Sequence, residues 1–172
     1  MLALALVALA GASGGVYAWS FTDRVAFLPP LLGWPLTIRQ DAHGRGLFGA
    51  PRSGRRQHNG VDLSSSVGTP VRAVKGGWVA IARTHKGLGN YIMLWHGRGL
   101  GTVYAHLSRM DVTPGQRVRQ GQVIGAVGKT GNARARDIVP HLHFEIRQHG
   151  RPLDPLERYL KPYVAAQEPP RG

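Results

Sequence analysis

Cysteine is absent from all 172 residues. That excludes disulfides, thiolate metal sites, a cysteine nucleophile and lipid attachment through a cysteine. Acidic residues are scarce. Nine Asp and Glu stand against 22 Lys and Arg, a formal net charge of +13. So large an excess on a small chain implies an anionic partner: nucleic acid, an acidic membrane surface or an anionic wall polymer. Its bland counterpart is a solubilising surface. Neither an RNP-type aromatic motif nor a Cys/His finger accompanies the charge, so nucleic acid is not expected as a partner. Long helical periodicity is also missing. Short β-rich runs are instead punctuated by Gly or Pro roughly every ten residues, the spacing of strands and turns. With 24 Gly and 12 Pro in a chain long enough for one real core, the pattern predicts an antiparallel all-β domain.

Residues 1–22 carry no charged side chain. The most apolar part, 2–12, has the length of a signal-peptide core, and Val16-Tyr17-Ala18 suits the approach to a cleavage site. No Lys or Arg precedes that core, however, and Trp19 and Phe21 prolong it. Roughly 20 helical residues also suffice to span a bilayer, with Trp19 as an interfacial aromatic. A cleaved signal peptide and a retained membrane anchor both stay open, and both take the remaining chain out of the cytoplasm, to the periplasm or cell envelope. Residues 23–35, containing the run FLPPLLGWP, read as a Pro-rich linker. The folded domain is expected over 36–160, with Leu36–Arg39 as a short first strand, and a loose tail over 161–172.

The densest chemistry lies in Pro140-His141-Leu142-His143-Phe144-Glu145. On a strand, His141 and His143 share one face, while Leu142, Phe144 and Ile146 share the other. Upstream, His58-Asn59-Gly60-Val61-Asp62 offers an imidazole and a carboxylate from one short segment. A catalytic zinc site needs about three N or O ligands and an open position. His58, Asp62 and His143 can supply them, for one Zn2+. His106 and His141 then remain as imidazoles free to move a proton or bond a developing oxyanion. Tyr104 falls on the face of His106 by strand alternation and is a candidate groove residue, together with Asn90 of the Gly89-Asn90-Tyr91 turn. Glu145 shares the face of His143 and is a candidate partner for a ligand imidazole. His96 ends an apolar strand and reads as structural, whereas His43, His85 and His149 lie among turn residues and read as solvated. Gly125-Ala126-Val127-Gly128-Lys129-Thr130 is not a phosphate-binding loop, because Val123 stands where its first Gly belongs. Lys129 sits in no Met-Lys-Met-type turn, which argues against a lipoyl or biotinyl carrier.

Taken in order, His58-x-Gly60-x-Asp62, Gly68-Thr69-Pro70-Val71-x-Ala73, Gly89-Asn90-Tyr91, Tyr104-Ala105-His106-Leu107, Gly121-Gln122-x-Ile124-Gly125, Thr130-Gly131 and His141-Leu142-His143-Phe144-Glu145 closely resemble the lysostaphin-like (LytM-type, M23) zinc metallopeptidases. The resemblance covers about residues 45–156. It implies a compact antiparallel β fold with a long substrate groove, one zinc held by His58, Asp62 and His143, and His106 and His141 as catalytic histidines. It also implies peptidoglycan as partner and hydrolysis of its peptide cross-links as activity. The alternative is a non-catalytic wall-binding or amidase-activating module on the same fold, a role taken by members that have lost zinc ligands. Two segments depart from the family pattern. Phe48-Gly49 is followed by Ala50 and Pro51 where an Arg is more usual, and the loop 132–139 is longer and more basic. Both are expected to border the groove and to bear on substrate preference.

Overall fold

A computed structural model describes residues 27–164, apart from Trp34 and Ser53. The apolar segment 1–22 and the end of the tail, 165–172, lie outside the described residues. Among those described, no helix is long and apolar enough to cross a membrane.

The strands are short, as the frequent Gly and Pro dictate. They are β1 (Thr37–Ile38), β2 (Gln40–Asp41), β3 (Gly44–Arg45), β4 (Pro51–Arg52), β5 (Arg56–Gln57), β6 (Val61–Ser64), β7 (Pro70–Arg72), β8 (Gly77–His85), β9 (Gly89–Gly97), β10 (Leu100–Met110), β11 (Arg117–Val118), β12 (Val123–Val127), β13 (His141–Gln148) and β14 (Arg151–Leu153). β2–β3 and β4–β5 are small separate hairpins; the other ten strands form one sheet in which every named pairing is antiparallel. Its main path runs β1-β6-β13-β10-β9-β8-β11.

β10 is the longest strand and the sheet forks along it. One edge of β10 pairs with β9. The other pairs with β13 from Leu100 to Ala105, then with β12 from Leu107 to Met110. The exchange falls at His106, whose φ is +62, and the register against β9 slips between Tyr104 and Leu107. One extra residue in a strand is a bulge, and it re-aims the side chain that it carries. Gly128 sits in the crotch of the fork, where an added Cβ would lie 2.3 Å from the Ser108 nitrogen.

That bulge corrects one expectation. Simple alternation placed Tyr104 beside His106 on the groove. Tyr104 is fully buried in the core, its ring 5.3 Å from that of Phe144, and its hydroxyl accepts from the Val74 amide at 3.0 Å. Alternation holds up to Ala105 and is reset by the extra residue.

Leu142, Phe144 and Ile146 are buried with Val61, Leu63, Ile92 and Leu94, so the apolar face of β13 backs onto the main core. The segment 27–33, expected to be linker, docks on the domain: Phe27 and Leu31 are buried in that core, and the Leu28 amide donates to the Val74 carbonyl at 2.8 Å. The first residues of the expected tail, Lys161–Tyr163, make a short helical turn, and the Leu36 amide donates to the Tyr163 carbonyl at 2.8 Å.

Gly60 lets the chain between His58 and Asp62 lie directly on β13. A Cβ there would stand 2.2 Å from the Phe144 carbonyl oxygen, which is backbone and cannot swing aside. Gly60→Ala is therefore expected to cost about 1–3 kcal/mol by overpacking, lowering the thermal midpoint by roughly 3–10 °C. Calorimetry of the two proteins measures it, and an unchanged midpoint would show that β6 yields without strain.

Candidate metal centre and groove

Register assembles the site. β6 and β13 pair with His143 opposite Asp62, and residues directly opposite in an antiparallel pair present neighbouring side chains on one face. His58 enters from the segment before β6, fixed by backbone bonds from its amide to the Ala50 carbonyl at 3.0 Å and from the Gly49 amide to its own carbonyl at 2.8 Å. The fork brings His106 beside them, with its ring 5.0 Å from that of His141 and 5.8 Å from that of His143. All five side chains are buried.

Three atoms converge. His143 Nδ1 lies 2.9 Å from Asp62 Oδ1, His58 Nε2 lies 3.0 Å from the same oxygen, and the two nitrogens are 2.9 Å apart. The outer nitrogen of each ring is already committed. His58 Nδ1 donates to the Leu47 carbonyl at 2.8 Å, and His143 Nε2 donates to Glu145 Oε1 at 2.9 Å. In the neutral tautomers that those partners select, the inward nitrogens are the ones that carry the lone pairs. Two inward imidazole nitrogens and a carboxylate oxygen so close together need a positive charge among them, either the proton that Asp62 and Glu145 favour on His143 or a metal ion that displaces it. A soft-to-borderline divalent metal with N and O ligands fits this donor set.

The carboxylate is divided between two tasks. Oδ1 faces the imidazoles. Oδ2 accepts from Arg39 Nε at 3.2 Å and Nη2 at 3.1 Å, and from Arg52 Nη2 at 3.2 Å. Burial pushes Asp62 towards protonation, but the hydrogen bonds and charge of His143 and His58 outweigh it and hold the carboxyl well below the usual carboxylate range. Glu145 is likewise opposed by burial and held ionised by His143 and Arg147, whose Nε is 2.6 Å from Oε2. Burial also disfavours the His143 imidazolium, yet Asp62 and Glu145 on either side bring it up to about 9.

The other two histidines behave differently. His106 Nδ1 donates to the Thr130 carbonyl at 2.9 Å, and His141 Nδ1 donates to the Val139 carbonyl at 2.7 Å. Each therefore keeps a lone pair on Nε2, and that of His141 is 3.8 Å from Asp62 Oδ1. Burial, aided by the nearby charges of His143 and His141, pushes His106 down to about 3. Burial also lowers His141, against the pull of Asp62. Both are neutral bases at physiological pH.

These groups line a groove of about 760 Å³. Its walls include Pro51 and Arg52 from one departing segment and Asn132, Ala133 and Ile138 from the other, so both border the groove as expected. Asn90 is not among its lining residues. Its amide nitrogen donates to the Leu107 carbonyl at 3.1 Å and its side-chain oxygen accepts from Thr84 at 2.7 Å, so it braces the β8–β9 hairpin against β10. His43 and His85, read as solvated, both line the groove, and His43 Nε2 is 2.6 Å from Asp137 Oδ2. His96 is structural, bonded to the Gly76 carbonyl and to Thr102 Oγ1, each at 2.8 Å. Sequence reasoning missed Arg39 and Arg52 as partners of Asp62. Arg39 follows a two-residue strand whose alternation would turn it outward, and no local pattern signals its burial. Arg52 stands a few residues beyond the place where the pattern has its arginine, yet it reaches the same carboxylate.

The chain belongs to peptidase family M23, whose pattern matches residues 56–155, and the donor atoms of His58, Asp62 and His143 are close enough together to hold a metal ion. Two curated relatives are the DD-carboxypeptidase/endopeptidase Mpg of Neisseria meningitidis, 44% identical over 59% of this chain and 22% of its own length, and the peptidoglycan DD-endopeptidase ShyA of Vibrio cholerae, 42% identical over 58% and 22%. The match thus spans about a fifth of either relative. Among solved structures, a zinc-containing peptidase from Vibrio cholerae is 35% identical with a TM-score of 0.56, over 73% of this chain and 39% of that one. The catalytic domain of the antimicrobial peptidase lysostaphin from Staphylococcus simulans is 34% identical with a TM-score of 0.59, over 69% and 90%.

Two outcomes follow from the charge arrangement. A proton on His143 competes with a metal for Nδ1, so affinity for zinc should rise about tenfold per pH unit as pH climbs towards about 9 and level off above it. Titration between pH 6 and 10 checks this, and a flat profile would mean that His143 does not surrender its proton to the ion. Glu145→Gln removes the charge behind His143 and should weaken zinc affinity about 10–100-fold, with the circular dichroism spectrum unchanged.

Proposed function

We propose that this chain is a zinc-dependent endopeptidase that hydrolyses peptide cross-links in bacterial peptidoglycan, acting outside the cytoplasm. The observation that carries the reading is the pairing of a complete, converging His-Asp-His donor set with two neutral imidazoles that are not needed as ligands. A module that merely bound the wall would need neither. One relative is named for peptidoglycan DD-endopeptidase activity, which supports the substrate, and one structural neighbour is a zinc-containing peptidase, which supports the metal.

His58, Asp62 and His143 would hold the ion. When bound, zinc supplies Lewis-acid polarisation of a carbonyl and lowers the pKa of water to about 7. The remaining work falls to His106 and His141. With Nδ1 fixed on backbone carbonyls, each presents Nε2 as a base of the required protonation state. The ring that accepts the attacking water's proton becomes an imidazolium, and only then can it donate towards the developing oxyanion and the leaving amine. Repulsion between the rings favours a single added proton in the pair, so acid and base are alternating states of one dyad. Arg39 and Arg52 keep Oδ2 occupied, which would leave Oδ1 as the oxygen available to the ion. The basic surface favours anionic wall polymers or the membrane face, and residues 1–22 would serve as export signal or anchor.

Digestion of purified peptidoglycan with and without chelator, followed by mass analysis, tests the reading. Chelator-sensitive release of cross-link cleavage products is expected; chelator-resistant cleavage, or none, defeats it, and the latter would favour the non-catalytic module. His143→Ala and Asp62→Ala should abolish stoichiometric zinc. His106→Ala and His141→Ala should retain one zinc per chain and lose about 10²–10⁴-fold in kcat.

A further inference from the structure

Two tryptophans are exposed on strands where a folded domain ordinarily hides such side chains. Trp78 is 48% exposed and Trp95 is 50% exposed. They stand directly opposite each other in the β8–β9 ladder, so the two indoles are neighbours on one face, and the Arg117 guanidinium borders the Trp78 ring at 5.9 Å. An exposed pair of adjacent large aromatics is a candidate interaction site.

Register identifies the face. Trp95 pairs with Gly101, Met93 with Val103, and on the far side of β10, Gly101 pairs with Arg147, Val103 with Glu145 and Ala105 with His143. Directly paired residues point the same way, so the tryptophans share the face of His143 and Glu145. Trp95 lies four ladder positions along and two strands across from His143, roughly 17 Å at standard strand spacings. About five residues of extended chain reach that far.

We propose that Trp78 and Trp95 form a stacking platform for the pyranose rings of the glycan strand whose peptide enters the groove. Flat indole faces suit the C–H faces of sugar rings. A lipid surface is the competing occupant. Both indoles sit within the ladder and not on a protruding loop tip, and a bilayer laid on them would cover the face that carries the site. A linear glycan leaves the site open. The proposal rests on peptidoglycan being the substrate, but it is tested apart from cleavage.

The test measures sedimentation of the full chain with peptide-free glycan strands, and separately with phosphatidylglycerol vesicles. The wild-type protein should bind the strands. Trp78→Ala/Trp95→Ala should bind them at least about tenfold more weakly, while Trp78→Phe/Trp95→Phe keeps part of the affinity. Zinc content and turnover of a short sugar-free cross-linked peptide should be unchanged in both variants. No wild-type binding to the strands, equal binding by the alanine variant, or equal loss of turnover on the sugar-free peptide would overturn the proposal, as would loss of vesicle binding alone. Strand binding without any cross-link cleavage would uphold it while defeating the peptidase reading.

Discussion

The buried carboxylate of Asp62 is the group on which the site depends. An ionised side chain at 3% exposure is tolerated only when its charge is met on all sides. Here the compensation is sorted by atom, with imidazoles on Oδ1 and guanidiniums on Oδ2. Four stretches of chain must therefore arrive together: the end of β1 with Arg39, the β4–β5 hairpin with Arg52, β6 with His58 just before it, and β13 with His143. Gly46 makes the approach possible, since a Cβ on it would meet Asp62 Cβ at 2.8 Å. In the proposed metal-bound state the guanidiniums would also draw charge from the carboxylate, leaving the cation less neutralised and so a stronger Lewis acid.

The fork in the sheet solves a different problem. The proposed mechanism requires ligand and proton-handling histidines to lie within a few ångströms of one another yet keep different protonation partners. β13 places His141 and His143 on one face, but only the exchange of partner strands at His106 turns a third imidazole towards them from the neighbouring strand. The hydrogen-bond acceptors follow the same division. The rings of His106 and His141 are anchored to backbone at Thr130 and Val139, which cannot titrate, whereas His143 is anchored to a carboxylate.

Much of this was legible in the sequence. The Gly and Pro rhythm predicts the antiparallel all-β fold, and the apolar face of β13 packs as its alternation predicts. The five site residues are brought together, because short motifs with fixed spacing express local geometry. What was not legible depends on contacts distant in sequence. Tyr104 was misplaced because a bulge leaves no composition signal, only a backbone angle at the next residue but one. Arg39 and Arg52 were missed because a buried arginine is indistinguishable from a surface one until its carboxylate is found. Phe27 and Leu31 looked like linker because Pro prevents regular structure, and irregular chain can still bury its side chains.

The loop 132–139 bears on all of this through a chain of contacts. The Val139 amide donates to Asp41 Oδ2 at 3.1 Å, Arg39 pairs with both Asp41 and Asp62, and Asp62 faces the donor nitrogens. Loop and ligand are thus one charged assembly. Arg134 and Arg136 of the same loop take no part in that chain, so exchanging them leaves the carboxylate's partners in place. Exchanging Asp41 would free Arg39 and the Val139 amide at once, and a change at the loop's anchor would be felt at Asp62.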